Sequence, residues 1–292
     1  MKKLNIDLDG FKIAALRATN TPENKNNHKI LCVHGWLDNA NSFLPLLPLI
    51  DNADIVAIDL PGHGHSDHED SMYSLAGQSH KLLTVADALG WDNFTLTGHS
   101  LGGCIAPFSA VAADTRVSQL ILIEAVGPLA ELPADLPKRL KKFHSDLQQP
   151  DKYQPRLFDS IDQAIASRLH ANKMNQSSAK LIVERQLKQI DHKDGPRWQW
   201  RFDKKLRQTS PSYFTEEQVR AVLEDINCPT LCILADQGYL TSRTETTHRL
   251  NCIKNREVVE LPGFHHLHLD TPEPVANAIN SFLKNHPLTQ PS

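Results

Sequence analysis

The hydrophobic positions of this chain change their spacing after the first twenty residues. Apolar and polar residues alternate on both sides of Asp9-Gly10, which predicts an antiparallel hairpin. Short apolar runs follow, and each ends at a turn signal, as is typical of buried strands. These runs are Lys29–Val33, Ile55–Ile58, Phe94–Leu96, Leu120–Ile123, Thr230–Leu234 and Glu257–Leu261. The pattern therefore predicts six buried strands after the hairpin.

Helical periodicity fills most of the gaps between these strands. One helical pattern runs from Leu75 to Leu89 and stops before Gly90, and the last runs from Val275 to Phe282 after Thr271-Pro272. Strands that alternate with helices predict a mostly parallel sheet with helices on both faces. The predicted fold class is therefore α/β.

The alternation stops between Pro128 and Asn227. This stretch is charged, has no convincing strand and contains several amphipathic helical patterns. They comprise Leu136/Leu140/Phe143/Leu147, Ile161/Ile165/Leu169, Val183/Leu187/Ile190 and a helix opened by the capping box Thr215-x-x-Gln218. We interpret residues 128–227 as a helical cap inserted into a core domain made of residues 1–127 and 228–292.

Composition narrows the class of partner. There are 31 basic and 34 acidic residues, and no basic run is longer than the short stretch from Lys138 to Lys142, which argues against nucleic acid or an anionic membrane. Five scattered cysteines favour free thiols in a reducing compartment. The N-terminal residues alternate where a signal peptide would be continuously apolar. We expect a cytoplasmic protein whose partner is a small molecule.

The segment Gly98-His99-Ser100-Leu101-Gly102 lies between a predicted strand and a predicted helix. In this context G-x-S-x-G predicts a nucleophile elbow, a tight turn that lifts the serine hydroxyl out of the sheet at a helix N-terminus. Backbone N–H groups near such a serine stabilise an oxyanion. We expect Ser100 to be the nucleophile and the N–H groups of Trp36 and Leu101 to form the oxyanion hole.

The order of the motifs resembles a known superfamily. HGW, DLPGHGHSD, GHSLGG and PGFHH follow one another as in the α/β-hydrolase superfamily, across nearly the whole chain outside residues 128–227. HGWLDNANSF and GYLTSR further resemble the serine hydrolase-like subfamily. The resemblance implies an α/β-hydrolase fold with a catalytic triad in the order serine, acid, histidine.

Three histidines after the last predicted strand compete for the role of general base. In members of the superfamily, the catalytic histidine lies seven residues before the proline that opens the last helix. Counted back from Pro272, this spacing selects His265, and Phe264 then stands where the family usually has glycine. We expect His266 and His268 to be pocket-wall or surface residues.

The triad acid has two candidates. The superfamily usually carries an aspartate after the penultimate strand, but register from Pro229 puts Gly238 there, and Asp236 falls two positions early. The stretch is similar to a group of haloalkane dehalogenases that supply a glutamate from the end of the strand after the nucleophile helix. That position is Glu124, where a parallel strand ends at the crevice in which ligands bind. Glu124 is the first choice, and Asp236 is the alternative.

A string in the same sequence is typical of a different class of hydrolase. His63, His65, Asp67 and His68 match the H-x-H-x-D-H metal ligands of metallo-β-lactamase-like hydrolases. That fold needs paired antiparallel sheets, whereas the pattern here is mostly parallel, so we expect the histidines of this loop to be solvated. A two-metal hydrolase and a non-catalytic or lyase member of the α/β-hydrolase fold are the alternatives.

The predicted function is hydrolysis of a carboxylic ester or related acyl substrate through an acyl-enzyme intermediate on Ser100. This chemistry implies no cofactor and no metal. Aromatic residues in the predicted cap are candidate pocket walls, although their spacing also suits a cap core. They are Trp198, Trp200, Phe202, Tyr213 and Phe214.

Overall fold

The computed structural model describes residues 1–20, 27–149 and 151–287. The strands are β1 (Lys2–Leu8), β2 (Phe11–Thr19), β3 (His28–Val33), β4 (Ala53–Ile58), β5 (Phe94–His99), β6 (Val117–Ile123), β7 (Leu157–Phe158), β8 (Leu187–Ile190), β9 (Arg197–Trp200), β10 (Thr230–Ala235) and β11 (Arg256–Leu261). The α-helices are α1 (Leu75–Ala88), α2 (Leu101–Ala112), α3 (Leu136–Leu147), α4 (Ile161–Ala171), α5 (Gln176–Gln186), α6 (Glu216–Glu224), α7 (Thr244–Cys252), α8 (Leu267–Asp270) and α9 (Pro272–Asn285).

Eight strands form one sheet in the order β1-β2-β4-β3-β5-β6-β10-β11. The first two strands form the predicted hairpin, and β2 also pairs antiparallel with β4. All the remaining pairs are parallel, from β4 to β11. Each of the six predicted apolar runs lies on one of these parallel strands, so the prediction of a mostly parallel α/β sheet is confirmed. The expectation that all six strands are buried is wrong for β11, which is the edge strand and is largely exposed.

Hydrophobic layers cover both faces of the sheet. On β3, Leu31 and Val33 belong to the layer that contains α1 and α2, whereas Ile30 and Cys32 belong to the layer that contains α9. Successive side chains of a strand point to opposite faces, so a strand covered on both sides needs an unbroken apolar run. This requirement explains why apolar runs mark the core strands in the sequence.

Residues 128–227, which we call the intervening segment, leave the large sheet after β6 and return to it at β10. The segment has a small core of its own, built from α4, α5 and the strand residues Phe158 and Leu187, and Trp198 and Trp200 pack against it. The helix patterns predicted at α3, α4 and α6 are confirmed, and Thr215 and Gln218 form the predicted capping box. The domain boundaries at 127/128 and 227/228 stay a prediction.

The expectation that the intervening segment lacks strands is wrong. A three-stranded antiparallel sheet, in the order β7-β9-β8, lies within it. The predicted helix through Val183 therefore ends at Gln186, and Leu187 and Ile190 lie on β8. Apolar residues three apart fit a helix face, but pairing with the alternating aromatic strand Arg197–Trp200 decides the conformation.

Candidate active site

Ser100 lies between the end of β5 and the start of α2 in a strained backbone conformation. Its φ of 51° and ψ of −113° are in a region that non-glycine residues rarely adopt. The turn is possible because glycines surround it. A Cβ atom on Gly98 would collide with the backbone of Gly102, and a Cβ atom on Gly102 would collide with the Val33 carbonyl. The strand, turn and helix therefore form the elbow that the motif predicts.

Two backbone N–H groups near Ser100 have no acceptor within the described part of the chain. They belong to Leu101, the first residue of α2, and to Trp36, in the loop after β3. Gly102 N–H donates to the His34 carbonyl at 3.0 Å, which ties this loop to the start of α2. Free N–H groups at a helix N-terminus are suited to binding an oxyanion. Trp36 and Leu101 are thus available for the predicted role.

His265 lies in the loop between β11 and α8 and contacts Glu124. Its Nδ1 is 3.0 Å from Glu124 Oε2. Its carbonyl oxygen accepts a 2.9 Å hydrogen bond from His99 Nε2, so the residue that precedes Ser100 holds the backbone of His265. The Tyr239 ring lies against the imidazole, with ring centroids 4.4 Å apart. These contacts fix both the position and the orientation of His265.

The Glu124 carboxylate is buried at the carboxyl end of β6, and both of its oxygens accept hydrogen bonds from the backbone. Oε1 accepts from Ala235 N–H at 2.8 Å, and Oε2 accepts from Tyr239 N–H at 3.1 Å in addition to its contact with His265. Glu124 itself has a positive φ of 50°, which turns the chain away from the strand. Backbone donors offset the cost of burying a carboxylate.

Asp236 does not contact His265. Its carboxylate is exposed and accepts a 2.9 Å hydrogen bond from Gly263 N–H, so it holds the loop that precedes the histidine. Of the two candidate acids, the structure brings Glu124 against His265 and leaves Asp236 outside the contact. Gly238, which lies at the usual place of the aspartate, faces the Glu124 carboxylate.

The expectation that His266 and His268 are pocket-wall or surface residues is wrong, because both are buried. His268 Nε2 is 2.7 Å from Ser42 Oγ. His266 Nε2 is 3.2 Å from Asp38 Oδ2. The sequence pattern gave no sign of this burial because α8 turns the two side chains inward beneath the loop.

A second cluster of charged groups that sequence reasoning missed adjoins His99 and His266. Asp38 is ionised, because the Arg168 guanidinium and then His266 outweigh the effect of burial and hold its pKa well below its usual range. Burial, reinforced by His268, keeps the pKa of His99 well below 6.5. Asp38 belongs to the quoted string HGWLDNANSF, but Arg168 comes from α4 and no local pattern singled it out.

The metal-binding string of the rival hypothesis does not converge on one point. His63 is buried against His34, with ring centroids 5.0 Å apart, while His65 and His68 are exposed. The expectation that His63 is solvated is therefore wrong, and burial lowers its pKa to about 3. The mostly parallel sheet also differs from the paired antiparallel sheets of the metallo-β-lactamase-like fold.

One trio of described residues, Asp38, His99 and His266, brings possible metal-ligand atoms within 4.8 Å of one another. The Arg168 guanidinium already binds Asp38 and lies 3.5 Å from His266 Nε2. A positive charge in this position opposes the entry of a cation. The cluster is better described as an ion pair with two neighbouring imidazoles.

None of the helices in the described ranges combines the length and apolar character needed to cross a bilayer.

Residues 29–272 match a family described as alpha/beta hydrolase fold. The chain is similar to a probable serine hydrolase of Drosophila melanogaster, with 33% identity over 276 residues that cover 89% of this chain and 82% of that protein.

It is also similar to a serine hydrolase-like protein of Mus musculus, with 28% identity over 285 residues that cover 89% of each chain. A crystal structure of a hypothetical protein from Pseudomonas aeruginosa PAO1 has a TM-score of 0.88 at 29% identity and covers 98% of this chain and 99% of that one. These similarities support hydrolase activity. The family match spans most of the sequence, and so the chain belongs to the α/β-hydrolase family.

Proposed function

We propose that this protein hydrolyses a carboxylic ester or a related acyl compound through an acyl-enzyme intermediate on Ser100. The observation that carries the proposal is the 3.0 Å contact between His265 Nδ1 and Glu124 Oε2. Ser100 stands at the elbow directly after His99, whose side chain binds the His265 carbonyl. An acid bound to Nδ1 fixes the proton there and leaves Nε2 as the basic atom. This is the tautomer that a general base requires.

In the first step, Ser100 Oγ attacks the substrate carbonyl carbon while His265 Nε2 takes the hydroxyl proton. The carbonyl oxygen becomes an oxyanion and accepts hydrogen bonds from the N–H groups of Trp36 and Leu101. The tetrahedral intermediate then collapses. The leaving alcohol receives the proton from the imidazolium, and the acyl group stays on Ser100.

In the second step, water loses a proton to His265 and attacks the acyl-enzyme, which releases the carboxylic acid and restores Ser100. Glu124 orients the imidazole and stabilises its charged form in both steps. Two backbone N–H groups on its carboxylate support this role, because they hold the carboxyl group in place against His265.

Two exposed aromatic rings favour an apolar group on the substrate. Trp36 follows Gly35 in the loop after β3 and is 51% exposed. Tyr239 covers the His265 ring and is 52% exposed. Large exposed rings at a site usually bury apolar surface when a ligand binds. The proposed substrate therefore carries an apolar acyl or alcohol group.

Activity on p-nitrophenyl esters of increasing acyl length tests the proposal, together with labelling by a fluorophosphonate. We expect turnover and labelling of the wild type, and the loss of both in Ser100→Ala, with a fall in turnover of about 10⁶-fold. Ser109→Ala is the matched control, because Ser109 is a buried serine on the same helix. A chain that neither turns over esters nor accepts the label would favour a non-catalytic or lyase role.

A further inference from the structure

A buried carboxylate joins the segments that build the candidate active site. Asp38 follows the loop with the Trp36 N–H, and its Oδ2 lies 3.2 Å from His266 Nε2, next to the proposed base. The same oxygen lies 4.0 Å from His99 Nδ1, next to the proposed nucleophile. On its other side, Asp38 forms an ion pair with Arg168, which lies on α4 of the intervening segment.

Arg168 also holds the backbone of the loop that carries Trp36. Its Nη1 donates to the Leu37 carbonyl at 3.4 Å, and Leu37 has a left-handed φ of 58°. Asp38 N–H donates to the Gly35 carbonyl at 3.1 Å and closes the turn. A strained turn keeps its shape only when its surroundings hold it. The Arg168 guanidinium therefore binds both the backbone of this turn, at the Leu37 carbonyl, and one of its side chains, the Asp38 carboxylate.

There is little free space between Asp38 and the serine. A Cβ atom on Gly35 would be 3.1 Å from Asp38 Oδ2, from His99 Nδ1 and from Ser100 Cβ. Three groups thus converge on one glycine, and a shift of the Asp38 side chain would be transmitted to the elbow and to the loop with Trp36. Close packing transmits displacements of this kind because the neighbours have no room to absorb them.

The charge of Asp38 depends on Arg168. His99 is neutral, and its Nε2–H is used on the His265 carbonyl, so its Nδ1 carries a lone pair and cannot donate to Asp38. Nδ1 of His99 accordingly has no hydrogen-bond partner within the described ranges. Arg168 and His266 are left as the donors to this carboxylate, and only Arg168 carries a permanent charge.

We propose that Asp38 and Arg168 are positioning residues. Their ion pair fixes two loops in their reactive arrangement: the loop after β3, which carries the Trp36 N–H, and the loop between β11 and α8, which carries His265. The inference rests on the proposed function, because it concerns the geometry of Trp36, Ser100 and His265 in that reaction. It also makes turnover dependent on α4, since the arginine comes from the intervening segment. Neither residue touches the reacting atoms.

A second buried ion pair supplies the matched control. Arg185, on α5 of the same segment, binds Asp59 with Nε at 2.8 and 3.0 Å from the two carboxylate oxygens. Asp59 further accepts from the N–H groups of Ala40 and His65. Like the first pair, it links the intervening segment to a loop of the core, but it has no contact with Trp36, Ser100 or His265 among the hydrogen bonds of the described residues.

The test compares Arg168→Met with Arg185→Met on one p-nitrophenyl ester. Both changes leave a buried aspartate without its cation, so we expect both to lower the Tm. Only Arg168→Met should lower kcat, by about 10- to 100-fold, with KM changed less than about threefold, because a misplacement near 1 Å costs a rate of this order. The rate of fluorophosphonate labelling should fall in parallel.

Two further variants guard against a simple loss of folding. Arg168→Lys keeps the charge and should recover part of kcat, and Asp38→Asn keeps the shape while it removes the charge and should lower kcat with a smaller effect on Tm. Equal kcat values for the two Met variants, or wild-type kcat in Arg168→Met, would overturn the positioning role. An inactive and unlabelled wild type would instead overturn the proposed function, so the two failures are distinguishable.

Discussion

The Glu124 carboxylate fills the space that a side chain on Gly238 would need, since a Cβ atom on this glycine would collide with all three atoms of the carboxyl group. The two positions follow neighbouring parallel strands, β6 and β10, and so lie at the same end of the sheet. One acid fits beside His265. With Glu124 directly after β6, position 238, three residues beyond the end of β10, has to be glycine.

The first prediction concerns the identity of the acid. Glu124→Gln keeps the shape of the side chain but removes the charge that stabilises the imidazolium, so turnover should fall by up to ~10⁴-fold with little effect on substrate binding. Asp236→Asn should be mild, because Asp236 contacts the backbone of Gly263 and not His265. Steady-state kcat and KM on a p-nitrophenyl ester measure both effects. The opposite ranking of the two variants would return the role to Asp236.

The second prediction moves the acid from one strand to the other. Gly238→Asp alone should lower both Tm and kcat, because the new side chain collides with Glu124. Glu124→Gly combined with Gly238→Asp removes the collision and supplies a carboxylate from the loop after β10, so its kcat should exceed that of Glu124→Gly by at least about tenfold. Glu124→Gly with Gly238→Asn is the uncharged control. Equal kcat in the two double variants would contradict the geometric argument.

The third prediction separates the histidines of the last loop. His265→Ala should remove most of the turnover and leave the Tm nearly unchanged, because the side chain is partly exposed and acts in the chemistry. His268→Ala should lower the Tm by several degrees, since it leaves a buried cavity and an unpartnered Ser42 hydroxyl. Thermal unfolding and ester turnover, measured on the same samples, distinguish the two effects. Similar activity losses without any change in Tm would point to a metal cluster, which elemental analysis for zinc would detect.

The fourth prediction concerns the pH dependence of stability. Four buried histidines have a pKa lowered from 6.5, chiefly by burial, and the pKa of His63 falls to about 3. They are His34, His63, His99 and His268. Below pH 6.5 the unfolded chain binds more protons than the native one. The free energy of unfolding therefore decreases as the pH is lowered, until the pH reaches the pKa of each histidine in the folded state.

Each of these histidines contributes a slope of about 1.4 kcal/mol per pH unit in that window. Urea unfolding at several pH values between 7.5 and 5 should therefore give a steep fall in stability below pH 6.5. His63→Asn should reduce this slope by about 1.4 kcal/mol per pH unit, which corresponds to one proton. An amide can still donate to the Pro61 carbonyl, but it does not titrate. A stability that stays flat between pH 6.5 and 5 would contradict the burial of these groups.

The sequence by itself determined the sheet and the nucleophile elbow. Both depend on local patterns: an unbroken apolar run marks a strand buried on two faces, and G-x-S-x-G between a strand and a helix permits one sharp turn. The five buried parallel strands, the edge strand β11 and the helices α1, α2 and α9 lie where these patterns predict them, although β11 is largely exposed. The order of the motifs was sufficient to predict Ser100 and His265, whose roles now await the variants above.

Only the tertiary structure decided the contacts between residues that are distant in the chain. The sequence ranks Glu124 only narrowly ahead of Asp236 as the acid, and of the two only Glu124 makes a 3.0 Å contact with a histidine, 141 positions later in the chain. β8 forms because it pairs with β9, although the spacing of the apolar residues Leu187 and Ile190 fits a helix. Asp38 and Arg168 are 130 positions apart, and their pairing exists only because α4 lies over the loop after β3. Local patterns carry conformational preference, whereas burial and pairing depend on which segments the fold brings together.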